Sequence, residues 1–580
     1  SPKGLNHLAH EGLLARIIGG HWGLAPGIQR LAVENKVIAY NLPQGIISHM
    51  YRNVASGKAG IFSQVGLGTF VDPRNGGGRL NARTTQPIVK LMEIAGEEYL
   101  FYDALPINVA VIRGTTADTD GNITMEKEAL TLESLSIATA ARNSGGLVIV
   151  QVERVAQAGT LNSRQVKIPG ILVDCVVVAC PENHWQTFGE PYNPAFSGET
   201  RIPTQDIPSM QMSARKIIAR RAAFELKPNC VVNLGIGIPE GVASVANEEQ
   251  ILDFMTLTAE PGVIGGLPAG GINFGAAINA TALIDQPYQF DFYNGGGVDG
   301  AFLGMAEADA QGNVNVSRFG VRLAGAGGFI NISQNSKKVV FMGTFTAGGV
   351  DYEISDGKLV VKKEGRLRKF VDQVQHITFS GPYSARSGRK ILYITERCVF
   401  ELTEDGPELV EIAPGIDLQH DILNMMDFKP IVREPLKVMD ERIFRPDRMA
   451  LKDNLLTIPT DDRIFYNPEA NIMLANLAGY TVKSQKDVDA VREAIERVLR
   501  PLGKKVYAVG NYDQFSIDPE LIDAYTSMQT FLVENYFERV SRYTTSAFLR
   551  IKMGGALEKR GVAPHIYESP EEAHAFLMTG

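Results

Sequence analysis

Short apolar runs alternate with longer amphipathic ones along most of the chain. Val37-Ile38-Ala39-Tyr40, Val109-Ala110-Val111-Ile112 and Leu147-Val148-Ile149-Val150 have the length and β-branched content of buried strands. Leu130 to Arg142 has the period of a helix between two of them. Strand, helix, strand at this spacing predicts α/β architecture with a largely parallel sheet. Between His184 and Gln211 the pattern breaks, with Pro191, Pro194, Pro203 and Pro208 among polar residues, as in a linker. It restarts with a helix over Met212 to Glu225 and a strand at Cys230-Val231-Val232-Asn233-Leu234.

Two segments then match at a constant offset. Ala110 leads to Ala117-Asp118-Thr119-Asp120-Gly121-Asn122-Ile123, and Ala301 leads to Ala308-Asp309-Ala310-Gln311-Gly312-Asn313-Val314. Asp-x-x-Gly-Asn alone is a common turn. With an apolar strand ahead of each copy, the pair reads as a pseudo-repeat of two α/β halves, the first shortened at its N-terminus. A cleft between such halves is a usual ligand site. The expected organisation is a first half at 1–195, a linker at 196–211, a second half at 212–445 and a separate small α/β domain at 461–580.

That last region has its own pattern. Ser484-Gln485-Lys486-Asp487 reads as a capping box. Val488, Val491, Ile495, Val498 and Leu499 hold one helix face, and Pro501 stops it. A strand at Val506-Tyr507-Ala508-Val509, a long helix from Pro519 to Ser541, a strand at Ala547–Ile551 and a helix from Pro570 to Leu577 are predicted. No motif there ties to chemistry.

Composition narrows the function. Of 580 residues, 44% are hydrophobic and 21% charged, which excludes a disordered or fibrous chain. The net charge of -8 argues against nucleic acid as a partner. Asp174 interrupts the most apolar stretch, so no membrane helix is expected. The four cysteines form no CxxC, and there is no HxH or HExxH, so no metal site is expected. So few cysteines point to the reducing cytoplasm. The first residue is Ser1 and no signal-peptide pattern follows, so the chain reads as one entered partway through a domain. Glycine is in excess, 58 residues of 580, and the excess gathers in loops.

The most informative loop is Thr256-Leu257-Thr258-Ala259-Glu260-Pro261-Gly262-Val263-Ile264-Gly265-Gly266. Read locally, Pro261-Gly262 makes a type II turn with Glu260 as its first residue. Read with its surroundings, Glu260 is a carboxylate displayed at the carboxyl end of a strand, where open α/β sheets bind ligands. Three more glycine loops lie nearby, each after an apparent strand. Leu234-Gly235-Ile236-Gly237-Ile238-Pro239 leads into a helix, a place for phosphate or pantetheine. Tyr293-Asn294-Gly295-Gly296-Gly297 follows Phe290-Asp291-Phe292, and Gly325-Ala326-Gly327-Gly328-Phe329 precedes Ile330-Asn331-Ile332. Such loops supply backbone N–H groups to an oxyanion or phosphate. Gln44, after the strand at Val37 to Tyr40, is either a surface turn residue or an amide aimed into the cleft.

Together these segments, with Pro43-Gln44-Gly45 and Gly66-Leu67-Gly68-Thr69, resemble the class I CoA-transferases, close to the propionate/acetate group with both halves on one chain. The resemblance runs to about residue 450, and the region beyond it vaguely resembles a STAS-like module. It departs from the family at Pro261, where Ser, Asn or Thr is more usual, and in lacking the family's first α/β units ahead of Ser1. It implies that Glu260 is the nucleophile and becomes a glutamyl-CoA thioester. It implies that Gln44 helps form the oxyanion hole and that Leu234, Gly235, Ile236, Gly237 and Ile238 contact CoA, with Gly325, Gly327 and Gly328 a second loop at the cofactor. Coenzyme A would be a substrate, with no permanently bound cofactor. The partners would be an acyl-CoA and a short-chain carboxylate, exchanged by ping-pong kinetics, and the enzyme a homo-oligomer, dimer or tetramer. A hydrolase on the same fold or a non-catalytic ligand sensor are the alternatives.

Overall fold

The computed structural model describes residues 4–203, 209–456, 460–513, 515–544, 557 and 566–578. Residues 204–208 of the expected linker and the expected strand at Ala547–Ile551 lie outside them. The chain divides into two compact units, Ser1–Leu451 and Lys452–Gly580.

The first unit is built on a ten-stranded sheet with a parallel centre. Five parallel neighbours run in the order Thr256–Ala259, Val231–Leu234, Gly300–Gly304, Lys338–Met342, Lys390–Ile394. Most of their side chains are apolar, as in parallel sheets covered on both faces; Asn233 and Thr258 are buried polar exceptions. Val232, Phe302, Val340 and Ile391 are each at most 1% exposed. By chain position the order is 2-1-3-4-5. It reverses between Val231–Leu234 and Gly300–Gly304, and such doubly wound sheets bind ligands where it reverses, outside the carboxyl ends of the strands.

A smaller parallel sheet joins Val109–Arg113, Leu147–Val152 and Cys175–Val178. The two segments related by sequence are also related in three dimensions. Asp118 Oδ1 accepts the N–H groups of Asp120 and Asn122 at 3.0 and 2.9 Å. Asp309 Oδ1 accepts those of Gln311 and Asn313, both at 3.0 Å. Asn122 Oδ1 then accepts the Gly170 N–H at 2.9 Å, and Asn313 Oδ1 that of Gly381 at 3.0 Å. Thr116–Asp118 pairs in parallel with Arg154–Ala156, and Glu307–Asp309 with Phe370–Val371. Each turn is thus wired into its half in the same way.

Three elements differ from the sequence reading. The helix after the first turn is Ser134–Asn143, so Leu130 to Glu133 precede it. Phe290-Asp291-Phe292 belongs to a helix, Gln286–Asn294, which starts with Pro287 in its first turn. Gly295 to Gly297 therefore close a helix and lie at the amino end of Gly300–Gly304. They are at the opposite edge of the sheet from Glu260, and Gly297 packs under the Phe292 ring.

In the second unit Ile464–Asn467, Ile472–Asn476, Val506–Asn511, Phe537–Tyr543 and Ile566–Tyr567 form one sheet, parallel beyond its first pair. Ser484 and Asp487 form the capping box, with the Ser484 N–H donating to Asp487 Oδ2 at 2.8 Å. The helix Gln485–Leu499 buries Val488, Val491, Ile495 and Leu499. The long helix ends at Tyr536. Residues from Phe537 are a strand because they complete the ladder beside Val506–Asn511. Tertiary pairing overrides the helical spacing there.

Candidate active site

Thr256–Ala259 delivers Glu260 to the carboxyl edge of the sheet, one strand from where the order reverses. The Gly262 N–H donates to Ala259 O at 3.2 Å. The turn is therefore Ala259 to Gly262, and Glu260 is its second residue, not its first. Beneath it lies a buried polar cluster. Tyr293 Oη donates to Thr258 Oγ1 at 2.9 Å, and accepts from Asn233 Nδ2 at 3.0 Å and Gln289 Nε2 at 2.7 Å. Burial and the nearby Glu260 charge push the Tyr293 phenol up to about 12, so it remains a neutral donor. Three hydrogen bonds converge on the Tyr293 hydroxyl, while Asn233 Oδ1 and Gln289 Oε1 are buried without a partner among the described residues.

Glu260 is half-buried by surface, yet protein crowds its carboxylate closely. Desolvation raises its pKa to about 7; the Gly328 N–H bond pulls it down, and the charge of Glu133 adds to the rise. A carboxylate poised near neutrality in a loop-lined edge is the kind of group that active sites tune.

The Gly328 N–H donates to Glu260 Oε2 at 3.0 Å. The rest of its loop is held by the first half. The Gly327 N–H donates to Gly20 O and the Gln44 N–H to Gly327 O, both at 2.8 Å. Asn41, fully buried, accepts the Ala326 N–H at 3.0 Å and donates to Gly19 O and Gly20 O at 2.8 and 2.7 Å. Gly325 pairs its backbone with His21. Gln44 starts the helix Gln44–Ala55. Its Nε2 donates to Glu133 Oε1 at 3.1 Å. The structure thus brings Glu260, Gly325, Gly327, Gly328 and Gln44 together.

The loop after Val231–Leu234 stands at the reversal point itself. Leu234 is buried in the sheet, and the Gly235 N–H is bonded to Phe302 O at 2.8 Å. Ile236, Gly237 and Ile238 hold the outer surface: Ile236 is 52% exposed, and Gly237 takes φ +90°, where a side chain would be strained. A surface hollow of about 440 Å³, lined by Gly76, Arg79, Leu80, Asn81, Ala82, Thr84 and Thr85, contains none of these residues. Chemistry, not hollow size, selects the site. Sequence reading gave no role to Glu133 or Gln286, and quoted Tyr293 only as part of a glycine loop. Their contacts come largely from distant segments and no local motif marks them.

Known proteins resemble this chain over most of its length. The coenzyme A transferase family pattern matches residues 2–179. The chain is 50% identical over 448 residues to a caffeate CoA-transferase of Acetobacterium woodii, covering 76% of this chain and 85% of that one. It is 47% identical over 444 residues to the acetate CoA-transferase YdiF of Escherichia coli K12, covering 77% and 83%. A crystal structure of the acyl-CoA transferase YdiF of Escherichia coli O157:H7, a thioester complex with CoA, superimposes with a TM-score of 0.72. It shares 46% identity over 77% of this chain and 85% of that one.

Proposed function

The chain belongs to the coenzyme A transferase family, enzymes that move CoA between an acyl-CoA and a carboxylic acid, and from that premise we propose that Glu260 carries the CoA as a glutamyl thioester. The observation that carries the reading is the placement of Glu260. It is a carboxylate at the carboxyl edge of the sheet, held on the Gly328 N–H, with Gln44 bonded to the same loop and the loop Gly235–Ile238 at the end of the neighbouring strand. The thioester complex of the YdiF relative supports a covalent CoA species.

The steps follow from the residue types. A Glu260 oxygen attacks the acyl thioester carbonyl, and collapse of the tetrahedral oxyanion expels CoA thiolate, leaving an acyl-glutamyl anhydride. The thiolate attacks the glutamyl carbonyl of the anhydride and the acyl group leaves as its carboxylate. A second carboxylate runs the same steps in reverse. Each oxyanion needs donors that are fixed beforehand, a role for the Gln44 amide and the Gly328 N–H. The loop Leu234 to Ile238, through Ile236 to Ile238, contacts CoA, whose non-reacting part supplies binding energy for the chemistry. Short-chain acids of acetate or propionate size are the exchange partners. The four cysteines, all unpaired, fit a reducing cytoplasm, and the working form is a homo-oligomer.

The test is direct. The protein is incubated with acetyl-CoA, reduced with borohydride, digested and weighed by peptide mass spectrometry. CoA attached to the Glu260 peptide before reduction, a reduced side chain after it, and neither in Glu260→Gln are expected. An unmodified Glu260 peptide, or steady release of CoA without any acceptor acid, overturns the reading in favour of another nucleophile or of hydrolysis.

A further inference from the structure

Glu133 stands directly before the helix Ser134–Asn143, where short polar side chains commonly turn back to cap the first N–H groups. Its carboxylate makes no such cap. It is buried, 7% exposed, and accepts from two glutamine amides. Gln44 Nε2 lies 3.1 Å from Oε1. The Gln286 amide nitrogen, turned toward it, lies 2.9 and 3.2 Å from Oε1 and Oε2. Gln44 and Gln286 are the first residues of the helices Gln44–Ala55 and Gln286–Asn294, which pack against each other across the two halves. Two helix N-termini, the ends that favour negative charge, therefore flank one carboxylate.

The backbone is bent to make this arrangement. Leu132 takes φ +50°, uncommon for a bulky residue. Its carbonyl accepts the Gln286 backbone N–H at 3.0 Å. Next to it Thr131 Oγ1 donates to Asp285 Oδ1 at 2.6 Å. Backbone strain persists where the surroundings over-determine it, and it gathers at functional sites. A carboxylate is also costly to bury, so a role in filling space alone does not account for it.

Resting on the Glu260 reading above, we propose that Glu133 is the positioning residue for Gln44. A carboxylate only accepts hydrogen bonds, so it holds the Gln44 amide by its nitrogen and never by its oxygen. With one N–H fixed on Glu133, the second is directed to the oxyanion that forms at the thioester carbonyl. A glutamine without this anchor would rotate, or present its oxygen to a developing negative charge.

A double-mutant cycle tests this. kcat and KM are measured with acetyl-CoA and propionate for Glu133→Ala, Glu133→Gln, Gln44→Ala and the two double variants. Glu133→Ala is expected to lower kcat by about 10-fold or more while KM for acetyl-CoA changes less than about 3-fold. In the Gln44→Ala background the same change is expected to lower kcat by less than about 2-fold, because coupled residues are not additive. Glu133→Gln keeps the size but leaves one acceptor oxygen for the Gln44 and Gln286 amides. It is expected to show a smaller loss that also vanishes in the Gln44→Ala background, and it serves if the alanine variant does not fold. Equal losses in both backgrounds, or an unchanged kcat, overturn the proposal. Wild-type protein without CoA on Glu260 refutes the Glu260 reading instead; an adduct with an additive cycle refutes Glu133 alone.

Discussion

The N–H of Gly328 donates to Glu260 Oε2 at 3.0 Å, and a Cβ on Gly328 would lie 2.3 Å from that same oxygen. The bond between them exists only because residue 328 has no side chain. The two residues come from different strand-to-helix segments of the second half, and the first half clamps the loop through Asn41 and Gln44. The placement of the carboxylate thus depends on both halves.

Gly328→Ala isolates this contact. Gly328 has φ -83°, a conformation that alanine accepts, so the fold is expected to survive. The carboxylate must shift by about an ångström, which typically costs about 10²-fold in rate. Gly327→Ala is the control: its Cβ would meet open space, but φ is +52°, so it is expected to cost stability of about 1 kcal/mol and little turnover. Stopped-flow CoA-adduct formation and thermal unfolding measure the two effects. Equal turnover for Gly328→Ala and wild type would remove the contact from the chemistry.

The raised pKa sets the pH dependence of the first half-reaction. Only ionised Glu260 attacks, and its pKa is about 7. The rate of adduct formation at low acetyl-CoA reports the free enzyme. It is expected to climb between pH 6 and pH 8 and then level off. A rate already flat from pH 5 upward would mean an ordinary carboxylate.

The same shift has a stability consequence of defined sign. Below pH 4.5 Glu260 is protonated in both folded and unfolded chains. Between 4.5 and about 7 the folded state keeps the proton that the unfolded state has lost. Wild-type stability from this group therefore falls as pH rises through that window. Glu260→Gln does not ionise. Its Tm advantage over wild type is expected to grow from pH 4.5 to 7 and then stay constant, with a ceiling on the order of 3 kcal/mol because solvent reaches part of the group. A Tm difference independent of pH would contradict the shift.

Much of this was legible in the residues. The runs at Val109, Leu147 and Val231 are legible as strands because β-branched residues form short continuous apolar runs, but only Val231–Leu234 is mostly buried. In the other two burial alternates, with Ala110, Ile112, Val148 and Val150 inside and Val109, Val111 and Leu147 exposed. Glu260 was legible because glycine loops surround it in sequence. Local pattern failed where distant partners decide. Phe290 and Phe292 have strand-like composition, but Pro287 starts a helix there. Phe537 to Ser541 continue a helical stripe, but a waiting sheet edge takes them as a strand. Glu133 is unremarkable in sequence. Its partners are 89 residues away at Gln44 and in the other half at Gln286, and no local spacing encodes that convergence.

The internal repeat makes an energetic prediction. Asn122 and Asn313 make the same two connections, to the preceding Asp and to a distant glycine N–H. Losing either side chain leaves that N–H unpaired, at about 1–3 kcal/mol. Asn122→Ala and Asn313→Ala are expected to lower stability by similar amounts, with Asn313 the larger because it is 3% exposed. Urea denaturation of the two variants measures it. A loss at one site and none at the other would make the shared turn a local coincidence.

The second unit should behave as a domain. It has its own apolar cluster, including Val488, Val491, Ile495, Val506, Tyr525 and Leu532, and its own parallel sheet. A domain of this size folds alone. We therefore expect a fragment starting at about residue 452 to fold cooperatively, with Ser484→Ala as the probe. The serine caps the helix Gln485–Leu499 together with Asp487, and losing a cap costs about 1 kcal/mol. In the fragment, the substitution should lower the urea midpoint by that amount with an unchanged m-value, since the exposed surface is the same. In the whole chain it should move one unfolding transition, followed by near-ultraviolet circular dichroism, and leave CoA transfer unchanged at temperatures below that transition. If Ser484→Ala instead lowers the stability of both transitions equally, or if the fragment does not fold, the two units share one cooperative core and the division near residue 452 is not a domain boundary.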